Sequence, residues 1–255
     1  MGGPHGLGSS LYVARSSVVH RLSPQCKLLA TLLFVLVVVS TPRESFWAFG
    51  VEAGLLVAVA LVSRVPIGTL LRRLTFELPF VAFAVLLPIV GRGERVDVVG
   101  LSLSVSGLWA AWNILVKGML GVAASGLLTA TTPIPSILHG LERLRLPRVF
   151  VAICAFMVRY ADVISGELHR MRIARASRGH DPRWIWEARA VASSAGALFI
   201  RSFERGERVY LAMVSRGYDG AMPVLHQHRA SRSEWAMALS LPVAAAAVSM
   251  AAWLI

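Results

Sequence analysis

Apolar residues run through this chain in blocks separated by short polar stops. "LLATLLFVLVVVS" (28–40) ends in the turn "TPRES" (41–45), and "FWAFGVEAGLLVAVALV" (46–62) carries Glu52 in its middle. "SRVPIGTLLRR" (63–73) restores positive charge before "LPFVAFAVLLPIV" (78–90), which has a proline near each end. "GRGERVDVVGLSLS" (91–104) is a polar stretch with no net charge. "GLWAAWNILVKGMLGVAASGLLTATT" (107–132) and "WAMALSLPVAAAAVSMAAWLI" (235–255) are the longest blocks. Runs approaching ~20 apolar residues predict membrane-spanning helices, here about five, or four to six according to whether 149–165 enters the bilayer. In the fourth, the small residues Gly118, Gly121, Ser125 and Gly126 predict close approach of a neighbouring helix. Lys117 is expected to face protein or to reach an interface, and Glu52 to take an interface or helix-pairing role.

Beyond Pro133 the pattern changes. Residues 143–216 hold 14 Arg against 6 acidic residues. Two apolar patches, "VFVAICAFMV" (149–158) and "AVASSAGALFI" (190–200), are each too short alone for a span of ~20 residues. Residues 162–178 predict a helix extending from the first patch, with Ile164, Leu168, Met171 and Arg175 on one face. "FIRSFERGERVYLAMVSR" (199–216) predicts a second, whose Phe199, Phe203, Gly206, Tyr210 and Met213 form a seam that would pack against another helix. A mid-helix glycine costs ~1 kcal/mol relative to alanine, which a close crossing at Gly206 would justify. Arg159 with Asp162 and Glu167 suggests a local ion-pair network, and Glu204 with Arg208 an i,i+4 pair. The domain limits expected are 1–132 for a first membrane bundle, 133–233 for an amphipathic module and 234–255 for a last span.

Composition sharpens the picture. The chain is 56% hydrophobic with a mean hydropathy of +0.64, above the ~45–50% of soluble domains, which reads as an all-α integral membrane protein. The net charge of +12 comes from 24 Arg and 2 Lys. No interleaving of aromatic and basic residues accompanies it, so a nucleic-acid partner is not expected. Basic segments at 15–27, 64–73, 143–148 and 170–216 alternate with near-neutral loops at 41–45 and 91–104. That alternation predicts a cytoplasmic N-terminus and a cytoplasmic Arg-rich region.

The chemistry the chain lacks narrows its function. No G-x-x-x-x-G-K-[ST] stretch occurs, and "GRGERV" (91–96) fails the dinucleotide fingerprint at its third glycine. Cys26 and Cys154 cannot form a thiolate site, and Cys154 reads as packing material. His226 and His228 alternate in a loop with no nearby acid, a poor metal site. Neither a cofactor nor a resident metal is expected. A membrane enzyme would need converging nucleophile and base, and a complete secondary transporter would show paired halves. The N-terminus has no apolar core followed by a cleavage site, so no signal peptide is expected.

One feature calls for a positive explanation. "ARASRGHD" (174–181) and "AMVSRGYD" (212–219) share A-x-x-S-R-G-[HY]-D, 38 residues apart, each at the end of an Arg-rich helix and followed by Pro182 or Pro223. A helix-ending glycine and a dipole-matching arginine account for one copy. A shared register of Ala174, Ser177, Arg178, Gly179 and Asp181 with Ala212, Ser215, Arg216, Gly217 and Asp219 points further. A guanidinium at a rigid tip suits an acidic groove, where its planar fork binds a carboxylate bidentately.

These endings resemble the coupling motifs of the T components of energy-coupling-factor (ECF) transporters. The likeness extends over most of the chain. "HRLSPQCKLLATLLF", "FELPFVAFAVLLPIVGRG", "LLTATTPIPSILHGLERLRLP", "FMVRYADVISGELHRMRIARASRG" and "LFIRSFERGERVYLAMVSRGYDGAMP" resemble the cobalt-transport branch, the CbiQ type. Where that family usually has Ala-Arg-Gly, Ser177 and Ser215 replace the alanine. The resemblance implies an L-shaped helical membrane protein in a prokaryotic plasma membrane, with a bundle and cytoplasmic coupling helices. It implies two ATP-binding cassette ATPase subunits that grip Ser177, Arg178, Gly179 and Ser215, Arg216, Gly217, and a separate substrate-binding (S-type) membrane subunit. It implies no catalytic activity in this chain, which would transmit ATPase motion for uptake of cobalt (or nickel). The alternative is the same role for another micronutrient such as a vitamin.

Overall fold

The computed structural model describes residues 12–13, 15–91, 95–98, 101–179, 188–220 and 230–254. Asp181, His180, Pro182, Pro223, His226 and His228 lie outside them. The helices are α1 (Val18–Arg21), α2 (Pro24–Ser40), α3 (Phe46–Val62), α4 (Ile67–Arg73), α5 (Leu78–Val90), α6 (Val105–Thr131), α7 (Ile134–Arg143), α8 (Arg148–Ala176), α9 (Ala188–Val214) and α10 (Arg232–Leu254). A 3-10 turn over Leu74–Glu77 leads into α5. Among the described residues, α6, α8 and α10 are long and apolar enough to cross a membrane, and α2, α3 and α5 are shorter apolar helices. The protein is therefore a multi-pass membrane protein of the all-α class, with almost no sheet.

Two departures from the sequence pattern stand out. Residues 148–176 form one unbroken helix whose apolar window exceeds the 149–158 patch, because Arg159 and Asp162 interrupt the composition but not the helical hydrogen bonding. The polar stretch 91–104 contains an antiparallel hairpin, β1 (Arg95–Val98) with β2 (Leu101–Ser104), pairing Arg95 with Ser104 and Val98 with Leu101. Ser104 then accepts from the Gly107 N–H at 3.4 Å and caps α6.

The described residues of 11–144 and 228–255 form one compact unit, and those of 145–227 another. In the first, α10 packs on α2 and α3, and α6 on α2, α3, α4 and α5. Its core joins Phe34 and Val38 of α2, Phe49 and Leu56 of α3, Leu120 and Ala124 of α6, and Ala245 of α10. Many large side chains of these helices face outward, such as Leu36, Leu61, Phe83 and Trp253. That arrangement suits hydrocarbon surroundings and would be costly in water.

Backbone polarity decides how such helices can end. Each helix leaves four carbonyls without an intrahelical donor, and in hydrocarbon an unmet carbonyl costs several kcal/mol (~2–7). At the end of α2 all four are met. Val37 and Val38 accept from the Thr41 N–H, Val39 from Lys117 Nζ at 2.7 Å, and Ser40 from Trp253 Nε1 at 3.1 Å. At the end of α6, Ala130 accepts from the Val13 N–H at 3.0 Å and Thr131 from Lys27 Nζ at 3.1 Å. Lys117 thus faces protein. It also lies close enough to attract Glu52, which is fully buried and accepts a 2.8 Å hydrogen bond from Thr41 Oγ1.

Glycine permits two close approaches on α6. A Cβ at Gly118 would overlap the Glu77 carboxylate, and one at Gly126 would meet Arg73 Cδ at 3.2 Å. Arg73 in turn donates to the Gly126 carbonyl and to Thr129 Oγ1. Gly121 has open space and Ser125 is exposed, so among the described residues those two members of the predicted small-residue set meet no neighbouring helix. Gly107 was not singled out by the sequence, yet a Cβ there would lie 2.8 Å from Pro88 Cα of α5.

The entry segment is pinned by His20. Ser17 donates its hydroxyl to His20 Nδ1 at 2.7 Å, and His20 Nε2 donates to the Val13 carbonyl at 3.2 Å. Both bonds are made by the neutral ring. Burial pushes the His20 imidazole below its ordinary value; the Val13 bond opposes this and Lys27 adds to it. A folded-state value below the unfolded one means the contribution is complete above about 6.5 and is lost as pH falls through the depressed value. Exchange of the Val13 amide, corrected for intrinsic rate, is expected to quicken between pH 7.5 and about 5.5, and to lose that acid dependence in His20→Asn.

Candidate functional site: two arginine-tipped helix ends

The two repeated endings fold into the same local structure. In α8 the Ser177 N–H bonds the Ile173 carbonyl at 2.9 Å, and the Arg178 and Gly179 N–H groups bond Arg175 and Ala176 at 3.1 and 2.9 Å. In α9 Ser215 bonds Leu211, and Arg216 and Gly217 bond Met213 and Val214, each at 3.0 Å. Gly179 takes φ +74° and Gly217 φ +83°, the left-handed conformation that closes a helix at least steric cost in glycine. The serines have a matching local role. Ser177 Oγ donates to the Ala174 carbonyl and Ser215 Oγ to the Ala212 carbonyl, both at 3.0 Å. Each hydroxyl occupies an acceptor that the terminating backbone leaves open.

Ala174, Ser177, Arg178, Gly179, Ala212, Ser215, Arg216, Gly217 and Asp219 are all exposed. Among the described residues, neither the Arg178 nor the Arg216 guanidinium has a hydrogen-bond or ion-pair partner. The helix end itself therefore leaves both guanidinium groups available, and the serine and glycine account for the termination.

α8 and α9 run antiparallel. Glu167 of α8 is nearly buried and accepts from Arg201 at 3.3 Å and Arg205 at 3.2 Å of α9. Toward the α8 tip, Arg175 donates to Ser194 Oγ near the start of α9 at 3.0 Å. Toward the α8 start, Phe156, Arg159 and Tyr160 share a cleft of about 760 Å³ with Met213, Arg216 and Tyr218. The two tips consequently sit at opposite ends of the pair, separated along the axis by about 20 residues, or about 30 Å. The second lies beside Arg159 and Tyr160, which the sequence pattern had not connected to it.

The ion pairs differ from the local network expected. Glu167 is held by arginines 34 and 38 residues away in sequence rather than by Arg159. Glu204 and Arg208 do pair, at 3.8 Å and largely exposed, a contact of ~0.3–0.5 kcal/mol. Of the predicted α9 seam only Met213 reaches α8, in the cleft with Phe156 and Tyr160. Phe199, Phe203 and Tyr210 are exposed, with 71%, 67% and 58% of their surface free, and Gly206 has no neighbour a Cβ would touch. The face turned to α8 instead carries Arg201, Arg205 and Val209. Cys154 is exposed too, contrary to its reading as packing material. Among the described residues, no group of three or more His, Cys, Asp or Glu could hold a metal ion.

Fold and site together define a multi-pass helical membrane protein that exposes a matched pair of arginine-tipped helix ends. Comparison with known proteins makes the class specific. The family described as "Cobalt transport protein" (CbiQ) matches residues 15–227. A putative fused cobalt transport protein CbiMQ of Methanocorpusculum labreanum is 31% identical over 220 residues, covering 82% of this chain and 36% of that protein. The energy-coupling factor transporter transmembrane protein EcfT of Thermanaerovibrio acidaminovorans is 34% identical over 226 residues, 83% of this chain and 82% of the relative. The Bacillus subtilis EcfT is 29% identical, with 82% and 83% covered. The chain thus spans about a third of the fused relative and most of the others. It belongs to the CbiQ family, the T components of ECF transporters.

Proposed function

We propose that this chain is the non-catalytic coupling subunit of an ECF-type importer. Residues 133–233 form the coupling module, whose apolar patches are partly embedded in the membrane and whose arginine-tipped ends lie on the cytoplasmic side. Arg178 and Arg216 dock into acidic grooves of two ATP-binding cassette subunits, and the closing motion of those ATPases turns the α8–α9 pair. A substrate-binding membrane subunit rides on that movement. Ala174, Ser177, Gly179, Ala212, Ser215 and Gly217 hold each guanidinium at a rigid tip, and Asp181 and Asp219 extend the grip. The cargo is cobalt, supported by the description of the matching family and by the fused cobalt transport relative.

The observation that carries this reading is the congruence of the two exposed ends, bond for bond, about 30 Å apart. A single helix end needs only a glycine. Two identical, outward-directed cations at a fixed separation match a partner that is itself paired. Co-purification tests it. The wild-type chain expressed with its ATPase subunits is expected to elute with both, and the Arg178→Glu/Arg216→Glu chain with neither. Retention of both ATPases by the double variant contradicts the proposal.

A further inference from the structure

The basic end of the bundle carries a second feature that the coupling role does not use. An apolar groove of about 450 Å³ opens among α1, α2, α3, α6 and α10, lined by residues such as Leu22, Phe34, Val59, Leu128 and Leu241. Lys27 also lines it, but its ammonium is committed to the Thr131 carbonyl. The volume falls within the ~300–1,000 Å³ of ligand clefts. Taking a methylene as about the ~30 Å³ of a water molecule, it accommodates on the order of 15 of them. An apolar lining around that volume suits a hydrocarbon chain.

Its mouth is cationic. Arg21 closes α1 beside the lining residue Leu22, and Arg64 follows α3 two residues after the lining residue Val62. Both are exposed, and among the described residues neither guanidinium has a partner. Arg64 moreover takes φ 54°. Its neighbours close α3 with Val65 N–H on the Ala60 carbonyl at 3.1 Å, the turn in which glycine is the least strained residue. Glu234, at the start of α10, accepts from Ser23 Oγ and the Ser231 N–H, both at 2.9 Å, as it caps that helix.

We propose that this groove holds one acyl chain of an anionic phospholipid, with its phosphate gripped by Arg21 and Arg64. The bound lipid fills the space between α3 and α10 and anchors the bundle in the leaflet at its basic end. This inference rests on the membrane-spanning fold alone and stands apart from the coupling role.

Native mass spectrometry of the full chain in detergent tests it, with phosphatidylglycerol, phosphatidylcholine of the same acyl chains, or glycerol phosphate added. The wild type is expected to retain one phosphatidylglycerol in preference to phosphatidylcholine and to bind no glycerol phosphate. Arg64→Gly relaxes the backbone and so leaves the fold intact, yet is expected to lower phosphatidylglycerol retention about tenfold, the loss of one charge-assisted contact. Arg145→Gly, at the other left-handed arginine (φ 65°), is expected to leave it unchanged. Ala58→Phe, at an exposed lining position, is expected to reduce retention of both lipids. Equal retention of the two headgroups, wild-type binding by Arg64→Gly, or glycerol phosphate binding as well as the lipid overturns the proposal.

Discussion

The Arg178→Glu/Arg216→Glu chain is expected to abolish cobalt uptake while folding and inserting normally. Both ends keep their glycines and their serine hydroxyl bonds, so the helices still terminate where they do. A glutamate at a helix C-terminus opposes the dipole by only ~0.3–1 kcal/mol. The effect on docking is larger. Removing one partner of a desolvated charge pair costs ~2–5 kcal/mol, and reversal adds repulsion from the same groove. One variant tip alone is therefore expected to weaken association by at least ~30-fold. In the proposed assembly the intact tip would still hold its ATPase at high effective concentration, so single variants are expected to keep partial uptake. With both tips reversed that second anchorage is gone. Uptake of radioactive cobalt by cells, with membrane insertion checked by immunoblotting, reads the difference.

The second large effect is expected at Glu167, which lies far from either tip. The α8–α9 interface has little apolar packing. Val151 and Glu167 are the buried residues of α8, while Phe150, Met157 and Ile173 face outward. One carboxylate between Arg201 and Arg205 consequently carries much of the adhesion. Glu167→Lys sets three cations together. Because Arg201 is 60% exposed and Arg205 37%, water softens the repulsion, and the loss is about 1–3 kcal/mol rather than that of a fully buried pair. Each tip can still dock, so ATPase co-purification is expected to survive while uptake falls severalfold or more. The two levers no longer move as one. The exchanged pair Glu167→Arg/Arg205→Glu is expected to restore uptake in part, which a general folding defect would not do.

The reach of the sequence differs from place to place for physical reasons. The spans were legible because each is a local block of apolar residues, and the helix ends because Ser-Arg-Gly carries its own termination chemistry. The hairpin over 95–104 was hidden, since Val96, Val98, Leu101 and Leu103 alternate too briefly to stand out in a polar loop. The cap of α10 had a readable signal, the S-x-x-E of Ser231 and Glu234, and its reciprocal bonds are present at 3.2 and 2.9 Å.

Two other features depend on distant partners. Spacing offers Glu167 only neighbours within a turn or two, whereas its arginines sit on another helix. The Phe199–Phe203–Tyr210 seam has the period of a packed face, but periodicity names no occupant, and within this chain the face is open. Gly206 in its midst has room for a neighbour that the described residues do not supply. Fold and termination were written locally, and two amphipathic helices suggested that α8 packs on α9; the residues that join them emerged only from three dimensions.

In the proposed role both tips face the cytoplasm and are gripped there by ATPases. Single cysteines at Ser177 and Ser215, in chains whose Cys26 and Cys154 are replaced by alanine, put it to direct test with a membrane-impermeant maleimide. Both cysteines are expected to label in inside-out vesicles, to resist labelling in right-side-out vesicles, and to be shielded when the ATPase subunits are bound. Labelling from the outer face, or labelling that the bound ATPases leave unchanged, contradicts the account.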